Sequence, residues 1–76
     1  MEEIFRIIEK ALELDAGTVG IDDSMDTISK WDSLGLLSIL SALEQRYGGK
    51  VAAIEDLASV KSVKEIVDLL KRESII

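Results

Sequence analysis

The residues able to do chemistry in this sequence are hydroxyls and carboxylates, because it contains no histidine and no cysteine. That absence excludes zinc sites built on imidazole or thiolate, disulfides, a Ser-His-Asp triad and imidazole acid–base catalysis. Among the hydroxyls, Ser33 stands out within Trp31-Asp32-Ser33-Leu34. Ser and Asp are favoured at helix starts simply because they cap free N–H groups, so Asp-Ser-Leu has an ordinary structural explanation. Three features add to it. An acidic stretch leads to this point, Asp32 as N-cap leaves Ser33 at the first helical position with its hydroxyl outward, and Leu34 projects away from the predicted core, where it is free to serve a partner. Without a histidine or other base beside it, Ser33 is not a triad-type nucleophile, and no residue is assigned a catalytic role. A second candidate, Asp22, Ser24 and Asp26, matches the first three ligand positions of an EF-hand loop. The match stops there: Thr27 stands where the turn glycine is needed and Ser33 where the bidentate glutamate is needed, so no metal site is assigned.

The elements that must position Ser33 are helical. Residues 2–14 place Ile4, Ile7, Ile8, Ala11 and Leu12 at helical spacing, widened by Phe5 and Leu14, with Glu2, Glu3, Arg6, Glu9, Lys10 and Glu13 on other faces. Residues 15–32 have no sustained period and read as a loop, with Val19, Ile21, Met25 and Ile28 as apolar anchors. Loops of this length in so small a domain are functional or pinned by their own side chains, and the anchors favour a pinned one. A second helix is predicted over 33–47, capped by Asp32 and stopped by Gly48-Gly49. Its core face comprises Leu36, Ile39, Leu40, Leu43 and Tyr47, with Leu34 nearly opposite and Leu37 at the edge. Residues 50–59 suit one or two turns across the bundle. Ser62-Val63-Lys64-Glu65 is a capping box that opens a final helix carrying Ile66, Val67, Leu69 and Leu70.

A chain of 76 residues allows one domain, 1–76, burying only about 60% of its unfolded surface. It has no proline, and one residue each of Trp, Tyr and Phe, so the core must be aliphatic and the fold all-α. Fifteen acidic against nine basic residues give a net charge of −6. The long loop carries most of it: residues 15–32 hold five acids and one base, whereas 33–76 hold six of each. Such a chain repels nucleic acid and anionic membrane and favours partners with basic docking surfaces. The most apolar stretch, 34–43, is interrupted by Gly35, Ser38 and Ser41 and is too short to insert in a membrane. The start, with Arg6, Glu9 and Lys10, lacks the apolar run of a secretory signal, so a cytoplasmic monomer is expected.

The segment Asp32-Ser33-Leu34-Gly35-Leu36-Leu37-Ser38-Ile39-Leu40-Ser41-Ala42-Leu43-Glu44-Gln45-Arg46-Tyr47-Gly48 resembles the Asp-Ser-Leu helix of acyl carrier proteins, including Ala-Leu-Glu and the terminal aromatic-Gly. The order of amphipathic helix, long loop, Asp-Ser-Leu helix, short third helix and capped final helix is similar to that family's four-helix bundle of three main helices and one short one. The resemblance implies that Ser33 receives a phosphopantetheine arm from coenzyme A through a separate phosphopantetheinyl transferase, which must supply any base. Because this chain has no cysteine, the thiol that holds an acyl thioester must also come from the arm. The phosphodiester would lie at a helix N-terminus, which favours an anion.

By the same resemblance, Asp32, Leu34, Leu37 and Glu44 are the positions that partners touch: the transferase, and acyl-loading or acyl-processing enzymes with basic or apolar docking surfaces. Asp32 doubles as the cap, Leu37 as edge packing, and Trp31 is a loop anchor or a contact for the arm. Carriers of fatty-acid synthesis usually present acids soon after the serine. Here Gly35 and Ser38 occupy those positions and Glu44 is the retained acid, which, with Trp31, points to a specialised carrier. The implied role is to tether acyl intermediates in fatty-acid, lipid or polyketide-type biosynthesis. The alternatives are an aminoacyl or peptidyl carrier, and a helical interaction module in which Ser33 merely begins a helix.

Overall fold

The computed structural model describes residues 2–76, so of the single domain expected over 1–76 only Met1 lies outside the described residues. Four α-helices follow one another: α1 (Glu2–Ala11), α2 (Ser33–Tyr47), α3 (Gly49–Ala52) and α4 (Val63–Arg72), with a 3-10 helix at Glu55–Ser59 between the last two. The all-α expectation holds. Among the described residues the only extended pairing is an isolated antiparallel bridge between Ser24 and Ser62, and no helix is long and apolar enough to cross a membrane.

Acids in the first turn of α1 and Lys10 in its last complement the helix dipole. The helix ends at Ala11, shorter than its apolar period suggested, because Glu13 turns left-handed (φ 57°). The Leu14 N–H then donates to the Glu9 carbonyl (2.8 Å) and Glu13 N–H to Lys10 (3.2 Å), a Schellman closure built without glycine. The end of α4 is built alike, with Ser74 at φ 58° and Ile75 N–H on the Leu70 carbonyl. Gly48 (φ 85°) stops α2 as expected, but Gly49 is no part of the stop, since it begins α3. Residues 50–59 thus divide between two short helices.

The core joins Ile4 and Ile8 of α1, Ile39 and Leu43 of α2, and Val63, Ile66, Val67 and Leu70 of α4, with Val51, Leu57 and Val60 closing it. Each such side chain contributes about 1.5–3 kcal/mol of burial. On α2 only Ile39 and Leu43 of the predicted core face are fully buried. Leu36, Leu40 and Tyr47 are half-buried: Leu36 and Leu40 border clefts on the surface, and Tyr47 reaches out to Glu3. At the far end of α2, the Tyr47 hydroxyl and Arg46 bond the Glu3 carboxylate and tie α2 to α1. Burial, reinforced by Glu3, holds the Tyr47 hydroxyl above its ordinary pKa.

The loop of 15–32 is pinned, by more than its apolar anchors. Glu9, expected on the polar face of α1, is buried at 2% exposure. One of its carboxylate oxygens accepts from the N–H groups of Gly17 and Val19 (both 3.0 Å), and the other takes Arg6 at 3.0 Å. A buried carboxylate must find such partners, and here they are loop amides. The Val19 N–H, aided by Arg6 and Gly17 against the desolvation of burial, lowers the Glu9 pKa below the usual carboxylate value. Further along, Asp23 accepts from Gly20 N–H (2.8 Å) and the Thr27 hydroxyl (2.9 Å). Val19 and Ile28 are buried anchors and Ile21 is half-buried, but Met25 is 41% exposed and anchors nothing.

Candidate functional site

Asp32 caps α2 with an extended backbone (φ −113°, ψ −165°), and its carboxylate accepts from the Gly35 N–H at 2.8 Å. Its own carbonyl takes the first helical bond, from Leu36 N–H at 2.8 Å. Of the N–H groups that a helix start leaves without intrahelical partners, those of Ser33 and Leu34 therefore remain free among the described residues. Ser33 is exposed at the first helical position, and its hydroxyl makes no hydrogen bond with any described residue. It is a placed, uncommitted hydroxyl beside two outward N–H donors.

What brings the chain to this point is Gly35. It is buried, and a Cβ there would run into the Lys30 carbonyl oxygen and come within 3.0 Å of the Leu12 side chain. Only a glycine lets the last loop residues lie against the first turn of α2. Its composition-level cost to the helix is thus offset by close packing. Immediately after Lys30, Trp31 is 3% exposed, so Trp31-Asp32-Ser33 leaves a fixed point.

Ser33 also lines a cleft of about 180 Å³, walled by Met25, Trp31, Leu36 and Val60 and including Asp32 and Lys61. The far wall is brought up by backbone pairing between the loop and the start of α4. Met25 N–H donates to the Lys61 carbonyl (2.9 Å) and Val63 N–H to Asp23 (3.0 Å). The capping box holds the same place: Glu65 N–H donates to the Ser62 hydroxyl (3.1 Å), and the Glu65 carboxylate accepts from that hydroxyl (3.2 Å) and from Lys61 N–H (3.4 Å).

Leu34 and Leu37 stand out from α2 at 75% and 63% exposure, one turn apart and adjacent to Ser33. Leu37, expected at the edge of the core face and as a partner contact, lies further out than that edge and is not among the residues packed against the core. Asp32 is exposed beside the two leucines. Glu44 is exposed but lies roughly 16 Å further along the helix axis, at 1.5 Å per residue. There it borders a different pocket of about 210 Å³ between α2 and α3, with Leu40, Val51 and Ile54. Three of the four predicted contact residues thus surround Ser33 and the fourth does not. Sequence reasoning passed over Lys61 and misassigned Met25, whose only signal was their placement beside Ser24 and Ser62, residues that pair only in the fold.

No curated protein and no solved structure matches the chain. A family model described as "Phosphopantetheine attachment site" matches residues 2–70, which takes in all four helices up to the last turn of α4. That family carries a covalently attached phosphopantetheine group, and its domains serve as carriers modified by phosphopantetheinyl transferases. The exposed, uncommitted serine hydroxyl at a capped helix start, in a chain with no thiol of its own, is a donor set that fits such a group. By its helical order and by this match over most of its length, the chain belongs to the phosphopantetheine-binding carrier family.

Proposed function

We propose that this protein is a non-catalytic acyl carrier whose phosphopantetheine is attached at Ser33. The observation that carries the reading is the Ser33 hydroxyl: exposed, unbonded and held at the first position of α2 by the Asp32 cap. In loading, the Ser33 oxygen forms a phosphoester bond to the phosphorus of the pantetheine side as the pyrophosphate link of coenzyme A breaks, and adenosine 3′,5′-bisphosphate departs as the leaving group. The proton leaves to a base of the transferase, since no base of this chain bonds the hydroxyl. The arm supplies the thiol that holds an acyl group as a thioester. This chain's own residues do the placing: Asp32 sets where the helix begins, and the free N–H groups of Ser33 and Leu34, with the dipole of α2, favour the phosphodiester anion by about 0.3–1 kcal/mol. Tethering then presents the acyl group to successive enzymes at high effective concentration.

Leu34 and Leu37, with Asp32, form the surface that the transferase and acyl-processing enzymes meet, and Glu44 serves only a partner that reaches along α2. Beyond the capping Asp32, the first turn of the helix carries no acid. Its apolar character supports a specialised lipid or polyketide-type pathway over one whose enzymes read an acidic helix. The same observation supports the second reading, an aminoacyl or peptidyl carrier. Incubating the loaded protein with adenylating enzymes for fatty acids and for amino acids separates the two by which thioester forms. The carrier function itself is tested by intact mass after treatment with coenzyme A and a broad-specificity transferase. One phosphopantetheinyl group is expected on the wild type and none on Ser33→Ala, and a wild type that gains no mass refutes it.

A further inference from the structure

We propose that the cleft beside Ser33 is a seat for the proximal part of the arm, with Lys61 as the residue that binds its phosphodiester. The inference rests on Ser33 being the attachment site and adds a resting position for the arm on this chain's own surface. The cleft is continuous with the attachment point, because Ser33 is part of its lining. Its lining also holds the chemistry that the proximal arm would meet. A phosphodiester next to Ser33 meets the N–H groups of Ser33 and Leu34 and the single cation of the cleft, Lys61. The branched, methyl-bearing carbons that follow the phosphate meet Met25, Trp31 and Val60.

Lys61 is suited to this by what it is not doing. Arg6, Arg46 and Arg72 are all engaged in ion pairs, whereas the lysines form none with any described residue, and of these Lys61 alone lines the cleft. Its backbone is held from both sides, the carbonyl by Met25 N–H and the N–H by Glu65, so the side chain leaves from a fixed origin. Met25 is held by the same bridge with 41% of its surface exposed. This is unpartnered apolar surface beside an attachment point, in a position that needs no rearrangement to be covered, and preorganisation of that kind lowers the cost of binding. At about 180 Å³ the cleft is smaller than the ~300–1,000 Å³ sites that engulf drug-sized ligands, so it takes only the part of the arm nearest Ser33. The distal amide and the thiol stay outside, available to enzymes. Because Lys61 is exposed, its hold on the phosphodiester weakens as salt screens it.

The test uses the full chain, converted to the arm-bearing form and checked by intact mass. Nuclear Overhauser contacts are then measured between the geminal methyls of the arm and the methyls of Met25 and Val60, together with apo-to-holo amide and indole shifts. Wild type is expected to give contacts to both residues and shifts at Met25, Trp31 and Lys61. Of two exposed substitutions, Lys61→Gln is expected to weaken both contacts, and Met25→Ala the remaining contact to Val60, at least twofold while loading normally. Loading without any contact, with shifts confined to 32–35, overturns the seat, as does an undiminished pattern in both variants. Failure to load at all overturns the Ser33 reading instead, and the seat with it.

Discussion

Replacing Gly35 by alanine reverses the usual sign of a glycine-to-alanine change in a helix. On propensity alone the substitution stabilises a helix interior by up to about 1 kcal/mol, and by less in a first turn. In this fold the new Cβ meets the Lys30 carbonyl oxygen, with the Lys30 carbonyl carbon at 3.3 Å and Leu12 Cδ2 at 3.0 Å. The nearest obstacle is backbone, which cannot swing aside as a side-chain tip can, and it immediately precedes the buried Trp31. Overpacking of this kind costs about 1–3 kcal/mol, so after the propensity gain the net loss is roughly 1–2 kcal/mol. For a domain of this size that corresponds to a fall in Tm of roughly 4–16 °C. Thermal unfolding by circular dichroism measures it, and the fluorescence of Trp31, the sole tryptophan, reports whether the loop end has moved. Gly49→Ala is the control, since a Cβ at Gly49 meets nothing within 4 Å and its φ is not left-handed; it should hold or raise Tm. A Gly35→Ala protein as stable as the wild type, with unchanged Trp31 emission, would show that the loop does not depend on this contact.

Two further perturbations separate surface from scaffold. Leu34→Ala should change stability by no more than about 0.5 kcal/mol, given its exposure, while slowing modification by the transferase; Leu43→Ala, fully buried, should cost about 2–5 kcal/mol in urea unfolding. A large stability loss in Leu34→Ala would place that residue in the core and contradict the phase of α2. Glu9→Gln tests the loop anchor through pH. Because the folded-state pKa of Glu9 is lowered, its stabilisation is present above the unfolded value of about 4.3 and is lost as pH falls through the folded value. The urea midpoints of wild type and Glu9→Gln should therefore differ at neutral pH and converge as the pH falls below the unfolded value and through the lowered folded one. A gap that stays constant with pH would mean that the charge of Glu9 does not hold Gly17 and Val19.

The starts of α2 and α4 could be read from sequence because side chains make them: Asp32 and the Ser62–Glu65 pair are local signals that the fold leaves intact. Helix ends were less visible. Glu13 and Ser74 adopt left-handed backbone where a glycine would have announced the stop, so α1 appeared longer than it is. Glu9 escaped notice because its partners are backbone amides of Gly17 and Val19, and amides have no sequence signature. The value of Gly35 was hidden for a related reason: it lies in the approach of Lys30, which helix propensity does not record. The cleft was invisible for want of the Ser24–Ser62 bridge, which joins residues far apart in the chain and brings Met25 and Lys61 into one cleft with Ser33. The exposed Leu34, by contrast, followed from helical phase alone.

The central claim is that one hydroxyl of this chain is the attachment point, and other exposed serines could compete: Ser29, Ser38 and Ser41, near in sequence, and Ser59, which lines the same cleft. The most direct measurement is fragment-ion localisation of the added group after transferase treatment, made on the wild type and on Ser33→Ala. The account predicts a single phosphopantetheinyl group on Ser33 and none anywhere in Ser33→Ala. A group found on Ser29, Ser38, Ser41 or Ser59, or retained in Ser33→Ala, would contradict it.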